Sequence, residues 1–232
     1  MFFNYFYGYF GYIIFMLPAF LISMFAQIGV KSTFSKYSRI KTARGITGAD
    51  SAHMVLDYNG VGNVLVQAIK GNLTDNYDPR SNTISLSSAV YYNTTISAIS
   101  VAAHEAGHAV QHAYEYKPIM IRSIMAPVTQ ISSTLSFPII LLGFVFQYSP
   151  LVNIGIILFS FAVLFSIITL PVEFNASARA IKTLNEANIL TDNELVGAKK
   201  VLRAAAMTYV ASTFTALWSL LRLILLYGGR RN

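Results

Sequence analysis

Two histidines and a glutamate form the strongest chemical pattern in this sequence. The segment Ile99–His112 contains His104-Glu-Ala-Gly-His108, a His-Glu-x-x-His arrangement inside a predicted helix. Histidines four positions apart lie one turn apart on the same helical face, so both imidazoles can reach one metal ion. Glu105 lies about 100° around the helix from His104, where it is no third ligand but can act as general base on a metal-bound water. The pattern also arises by chance, so the surrounding residues must indicate whether it forms a metal site.

The residues around the motif favour a metal site. The residues around the histidines have small side chains, which let neighbouring elements pack close to the helix: Ala102, Ala103, Ala106, Gly107 and Ala109. Catalytic zinc needs a third protein ligand. His112 lies about 12 Å along the helix axis from His104, which is too far. A metzincin would have Gly and His where this chain has Gln111 and Tyr114, so that class is excluded.

Composition places this site in a membrane protein. The 232 residues are 54% hydrophobic and only 12% charged, and the mean hydropathy is +0.52, which is too apolar for an ordinary soluble domain. The chain has no cysteine, so zinc ligands must be histidine and carboxylate. The net charge of +7 comes from basic residues beside apolar runs, which indicates a lipid bilayer as partner and no nucleic acid.

The first segment, residues 1–30, predicts an N-terminal transmembrane helix. It carries no charged side chain and is long enough to cross the hydrocarbon region; a signal peptide is the alternative, with a shorter apolar run. Five basic residues follow and place the next segment in the cytoplasm by the positive-inside rule, unless they form a basic linker on no particular side: Lys31, Lys36, Arg39, Lys41 and Arg44.

Residues 31–122 are predicted to form a cytoplasmic, zincin-like portion that holds the metal-site helix. Thr47-Gly-Ala-Asp50 is typical of a capping box for a helix ending near Asn59-Gly60. Val61–Ile69 and Thr83–Ser87 are predicted strands, and Asp75–Asn82, with its proline, is predicted to be loop. We expect Thr83–Ser87 to lie at the sheet edge, where it pairs with an extended substrate or has only a structural role.

Residues 123–172 predict a transmembrane hairpin, because no charged residue occurs between Arg122 and Glu173. The turn is expected at Tyr148–Pro150, and a re-entrant hairpin is the alternative for its polar first half. Two crossings return the chain to the side of the histidines, so Glu173 is the predicted third ligand; alternatively it is a carboxylate that marks the membrane boundary.

The last two segments complete the predicted topology. Residues 173–207 form cytoplasmic helices that carry Glu173, with Asn175 and Arg179 as supporting residues, and Thr191-Asp-Asn-Glu194 is a second capping box. Residues 208–232 form a C-terminal transmembrane helix and a basic tail, although Arg222 interrupts the apolar run.

Five segments spread over nearly the whole chain carry a resemblance to a known family: Leu73-Thr-Asp-Asn-Tyr-Asp-Pro79, Leu86-Ser87, Val101-Ala-Ala-His-Glu-Ala-Gly-His-Ala-Val-Gln111, Leu170-Pro-Val-Glu-Phe-Asn-Ala-Ser177 and Ala204-Ala-Ala-Met-Thr-Tyr-Val210. In these segments the chain resembles the neutral zinc metallopeptidase family of YugP-like membrane proteins. Asn76 stands where the first of these motifs often has His, and Ala178 precedes Arg179 where the family is richer in arginine. The resemblance implies a gluzincin-like site in which His104, His108 and Glu173 bind one Zn²⁺ and Glu105 is the catalytic base.

The sequence thus predicts a mainly α integral membrane protein with about four transmembrane helices and a small α+β zincin-like cytoplasmic portion. Its predicted function is that of a membrane-bound zinc-dependent metalloendopeptidase, which hydrolyses peptide or protein substrates through a zinc-activated water at the cytoplasmic side of the cell membrane. Two alternatives stay open. One is a non-enzymatic zinc-binding membrane scaffold, and the other is an intramembrane site-2-type protease, which the lack of Asp between His108 and Asp192 disfavours.

Overall fold

The computed structural model describes the backbone of residues 2–228 and the side chains of residues 11–226. The fold is mainly α, as predicted, with one small sheet. The predicted basic tail, with Arg230 and Arg231, lies outside the described residues. The elements, in chain order, are α1 (Phe2–Tyr37), α2 (Gly48–Tyr58), β1 (Leu65–Ile69), β2 (Asn76–Asp78), β3 (Thr83–Ser87), α3 (Ser88–Tyr91), α4 (Ile96–Ala113), α5 (Lys117–Val145), α6 (Ser149–Glu186) and α7 (Asp192–Gly228).

The chain divides into two compact units. The apolar unit contains Met1–Gln27, Ile121–Leu170 and Thr208–Asn232, and the sheet-containing unit contains Ile28–Met120 and Pro171–Met207. Helices α1, α5, α6 and α7 contribute residues to both. These four helices are long and apolar enough to cross a membrane.

Side-chain contacts within the apolar unit explain how α7 accommodates its polar residues. The Trp218 indole N–H donates to the carbonyl oxygen of Phe15 at 2.6 Å, and the two rings stack with centroids 4.8 Å apart. The Arg222 guanidinium lies 4.2 Å from the centroid of the Tyr12 ring. This cation–π contact reduces the cost of a charge in the apolar segment, and α7 continues as one helix past Arg222.

The three-stranded sheet corrects two predictions. The strand order is β1-β3-β2, with β1 parallel to β3 and β2 antiparallel to it. Thr83–Ser87 is therefore the central strand, and the expectation that it forms the sheet edge is wrong, because both of its sides are already paired. The predicted loop Asp75–Asn82 contains the edge strand β2, whose three residues are too few to produce a detectable alternation.

Helix α4 lies at the centre of the sheet-containing unit. The Thr95 hydroxyl caps its N-terminus by accepting from the backbone N–H of Ala98. Its buried face packs against α2 and the sheet, with Ile99 and Val110 in a core that also includes Leu56 and Leu86. The predicted capping box of α2 is present, with both of its reciprocal hydrogen bonds. These contacts hold α4 in place for the residues on its other face.

Candidate metal centre

Helices α4 and α6 approach each other closely at one glycine. A Cβ atom built on Gly107 would lie 2.7 Å from the carbonyl oxygen of Ala176, so only glycine fits without a shift. Ala176 and Ala180 are fully buried on the facing side of α6. This contact is the close packing of small residues that the sequence predicted. Because Glu173 lies one helical turn before Ala176 on α6, the contact brings its side chain close to the histidines of α4.

Three predicted ligand residues come together across this contact. His104 Nε2 lies 3.2 Å from Glu173 Oε2 and His108 Nε2 lies 3.5 Å from the same oxygen. The possible ligand atoms of the three residues all lie within 4.8 Å of one another. Glu173 is 1% exposed, so the carboxylate is almost completely withdrawn from water. Both imidazoles present the same ring nitrogen toward it.

A hydrogen-bond chain fixes the orientation and tautomer of His108. Arg179 Nε donates to Asn175 Oδ1 at 2.8 Å, and the Gln111 amide nitrogen donates to that oxygen and to the Val172 carbonyl. Because the Gln111 nitrogen faces two acceptors, its Oε1 must face His108 Nδ1, which lies 3.0 Å away. That oxygen only accepts, so His108 carries its proton on Nδ1. The lone pair of Nε2 is then directed at the site.

His104 has its own partner on α6. The Ser177 hydroxyl lies 3.1 Å from His104 Nδ1, and its oxygen can accept a hydrogen bond from the Nδ1–H. The two imidazole rings pack edge to face with centroids 4.7 Å apart. Each histidine is thus held at Nδ1 while its Nε2 remains toward Glu173.

The electrostatics of the site centre on Glu105. The pKa of this carboxyl is raised to about 7: burial is the largest cause and the negative charges of Glu173 and Asp75 add to it, whereas His104 and the backbone N–H of Tyr77 act in the opposite direction. Asp75 is itself partly buried, and burial raises its pKa although it accepts hydrogen bonds from the backbone and hydroxyl of Ser87. Two further carboxyl groups, those of Glu173 and Asp75, therefore act on Glu105.

The donor set fits a zinc ion. Two imidazole nitrogens and one carboxylate oxygen are the ligands of one well-known class of catalytic zinc site. The hydrogen bonds at both Nδ1 atoms are the support that metal-binding histidines usually have. A divalent cation would also offset the charge of the clustered carboxylates. Among the residues that the structure describes, this is a group of three ligands, which leaves a coordination position for water or substrate.

Residues around the ligand group differ in how far the sequence indicates their positions. His112 lies outside the ligand group, as expected, and its ring is 6.1 Å from that of Tyr77. Gln111 was considered only as a departure from the metzincin pattern, although it is fully buried and binds His108. Ser177, which contacts His104 Nδ1, was not singled out from the sequence as a partner of the histidines. No sequence signal indicated the role of Gln111, because its burial and its partners on α6 depend on how the chain folds.

Two comparisons connect this site to known proteins. The family model described as "Putative neutral zinc metallopeptidase" matches residues 12–228. The chain is 44% identical over 221 residues to "Putative membrane protease YugP" of Bacillus subtilis (strain 168), an alignment that covers 95% of this chain and 98% of that protein. No solved structure matches the chain. The extent of both matches shows that the chain belongs to the family described as "Putative neutral zinc metallopeptidase".

Proposed function

We propose that this protein is a membrane-bound zinc-dependent metalloendopeptidase. His104, His108 and Glu173 hold one Zn²⁺, and Glu105 is the catalytic base. The observation that carries the proposal is that the Nε2 atoms of His104 and His108 lie 3.2 and 3.5 Å from the same oxygen of Glu173. Glu105 directly follows His104 on the same helix. The family membership supports zinc and peptidase chemistry.

The residues of the chain divide the reaction between them. A Zn²⁺ ion held by His104, His108 and Glu173 would supply a Lewis acid that lowers the pKa of a bound water molecule toward about 7. The Glu105 carboxylate accepts a proton from the attacking water and delivers it to the amide nitrogen of the leaving group. Gln111 and Ser177 keep the imidazoles in position throughout.

The substrate proposed for this site is an extended peptide segment that pairs with β2. This strand is antiparallel to β3 and forms one edge of the sheet, and it packs against α4. The backbone N–H of Tyr77, in the middle of β2, contributes to the pKa of Glu105, so this strand borders the catalytic base. Main-chain pairing along an edge strand selects an extended chain with little regard to sequence.

The membrane topology proposed for the site places it at the cytoplasmic surface. The basic residues Lys31 and Lys36 follow the apolar part of α1, and Lys199, Lys200 and Arg203 precede the apolar part of α7. Such clusters beside spanning helices favour the cytoplasmic side. The membrane location itself agrees with the four apolar helices and with the name of the Bacillus subtilis relative.

Two alternatives receive less support. A structural zinc site in a scaffold protein is usually closed by four ligands, whereas the described residues provide a group of three. An intramembrane protease would place its metal helix in the bilayer, but α4 is not among the four helices that are apolar and long enough to span. The open ligand position and the polar setting of α4 favour a peptidase outside the hydrocarbon region.

The proposal is tested on the purified full-length protein in detergent. Wild type is expected to contain one Zn²⁺ per chain and to cleave an unfolded protein such as casein. Glu105→Gln keeps the shape of the side chain but removes the base, so it is expected to retain zinc and to lose proteolysis. Equal cleavage by wild type and Glu105→Gln would overturn the assignment. Full zinc binding without cleavage by either would instead favour the scaffold.

A further inference from the structure

A basic cavity lies between α1 and α7 in the sheet-containing unit. It has a volume of 320 Å³ and is open to the surroundings. Each helix contributes residues at positions i, i+3 and i+4, which lie on one helical face. From α1 these are Thr33, Lys36 and Tyr37, and from α7 they are Lys200, Arg203 and Ala204.

A tight aromatic contact forms the wall of this cavity. Tyr37 is 8% exposed, and a Cβ atom on Gly197 would lie 2.7 Å from its ring. The glycine therefore lets the tyrosine ring pack directly on α7. Lys36 Nζ lies 5.6 Å from the centroid of the same ring. The basic side chains surround the Tyr37 ring, and its close packing on Gly197 fixes the spacing between the two helices.

The cations of the cavity lack acidic partners. Among the residues that the structure describes, no carboxylate forms an ion pair with Lys36, Lys200 or Arg203. Glu194, near the start of α7, instead accepts hydrogen bonds from Thr191 and from the backbone N–H of Ala43. Three positive charges around one open space, with no ion pair to a carboxylate in the part of the chain that the structure describes, favour the binding of an anion.

The position of the cavity, beside the ends of two apolar helical segments, indicates which class of anion it binds. In α1 it begins three residues after Val30, where an uncharged apolar segment ends. In α7 it ends at Ala204, where the next uncharged run begins and continues to Leu221. Both boundaries correspond to the level of lipid phosphates if these helices cross a bilayer. Arginine and lysine bind phosphate oxygens with charge-assisted hydrogen bonds.

We propose that the cavity formed by Lys36, Lys200 and Arg203 binds the phosphate group of an anionic phospholipid. Thr33 adds a hydroxyl at the same face. This site is separate from the His104, His108 and Glu173 group. It ties the two helices to a lipid at the level where they leave the bilayer.

The test compares two matched double variants of the full-length protein in detergent. Lys36→Gln/Lys200→Gln removes one cavity cation from each helix. Lys31→Gln/Lys199→Gln removes one exposed cation from each helix outside the cavity. Native mass spectrometry measures binding of phosphatidylglycerol, of phosphatidylcholine with the same acyl chains, and of inorganic phosphate. Circular dichroism and gel filtration establish that both variants fold.

Wild type and the control variant are expected to prefer phosphatidylglycerol over phosphatidylcholine. The cavity variant is expected to bind phosphatidylglycerol about tenfold more weakly than the control does. Equal weakening in the two variants would overturn the proposal, because it would show a diffuse effect of net charge. Binding of inorganic phosphate as tight as that of phosphatidylglycerol would also overturn it, since the ligand would then be a soluble anion.

Discussion

Gly107 of α4 packs directly against the backbone of Ala176 in α6, where a Cβ atom on Gly107 would lie only 2.7 Å from the Ala176 carbonyl oxygen. The oxygen belongs to the backbone, so it cannot move aside as the end of a flexible side chain would. Glu173 lies one turn earlier on α6, and His104 and His108 flank Gly107 on α4. The distance between the helices therefore determines whether the three side chains meet.

Gly107→Ala is expected to push α6 away from α4 and to weaken zinc binding. Overpacking of this kind costs about 1 to 3 kcal/mol of stability, and the loss should be accompanied by lower zinc content. Thermal unfolding and metal analysis of the purified protein measure both effects. Gly62→Ala is the matched control, because a Cβ atom at Gly62 meets nothing within 4 Å. If the two variants behave alike, the close approach does not position the site.

Gln111→Ala is expected to lower zinc affinity without removing a ligand. The substitution leaves His108 Nδ1 without the acceptor that lies 3.0 Å away and breaks the links to Asn175 and Val172. Loss of such a supporting group weakens metal binding about 10- to 100-fold. Competition with a zinc chelator measures the change. Gln67→Ala, an exposed glutamine on β1, is the control, and an unchanged zinc affinity in Gln111→Ala would refute the proposed tautomer control.

The pKa of Glu105 predicts how the stability of the zinc-free protein depends on pH. A carboxyl whose pKa is raised from 4.5 to about 7 on folding binds more protons in the folded state between these values, so stability falls as pH rises through that window. Glu105→Gln removes this effect and is expected to be more stable than wild type at pH 8, by up to about 3 kcal/mol, and much less so at pH 5. Unfolding of chelator-treated protein at both pH values measures the difference, and equal differences would contradict the raised pKa.

The absence of cysteine from the sequence allows a clean test of the proposed topology. Asn72→Cys places a thiol on the exposed segment between β1 and β2, and Gln147→Cys places one between α5 and α6. A membrane-impermeant maleimide added to intact cells is expected to label residue 147 at once and residue 72 only after lysis. Labelling of residue 72 in intact cells would place the site outside the cytoplasm.

The sequence predicted the parts of the site that follow from helix periodicity and topology. The pairing of His104 with His108 is local, because four residues span one helical turn. Glu173 lies far away in sequence, and its position beside the histidines was predicted from an uncharged hairpin that returns the chain to its starting side. The first prediction depends on the spacing within one helical turn and the second on the uncharged segment of residues 123–172, and both patterns are present in the sequence itself.

The remaining features depend on which elements become neighbours. Gln111 contacts His108 only because Asn175 and Val172 of α6 fix its amide, and no property of Gln111 itself indicates this. The strand order of the sheet is equally non-local, so β3 was wrongly placed at an edge. The strand β2 consists of Asn76–Asp78, directly before Pro79, and a segment this short next to a proline has the sequence features of a loop.

X-ray absorption spectroscopy of the purified protein at the zinc edge tests the central claim most directly. Wild type is expected to show one Zn²⁺ per chain with two imidazole nitrogens at about 2.0 to 2.1 Å and oxygen ligands at about 2.0 to 2.2 Å. Glu173→Ala is expected to lose most of its zinc, whereas Glu186→Ala, which removes an exposed carboxylate from the end of the same helix, should keep it. A wild-type spectrum without two imidazoles, or full zinc retention in Glu173→Ala, would contradict the proposed metal centre.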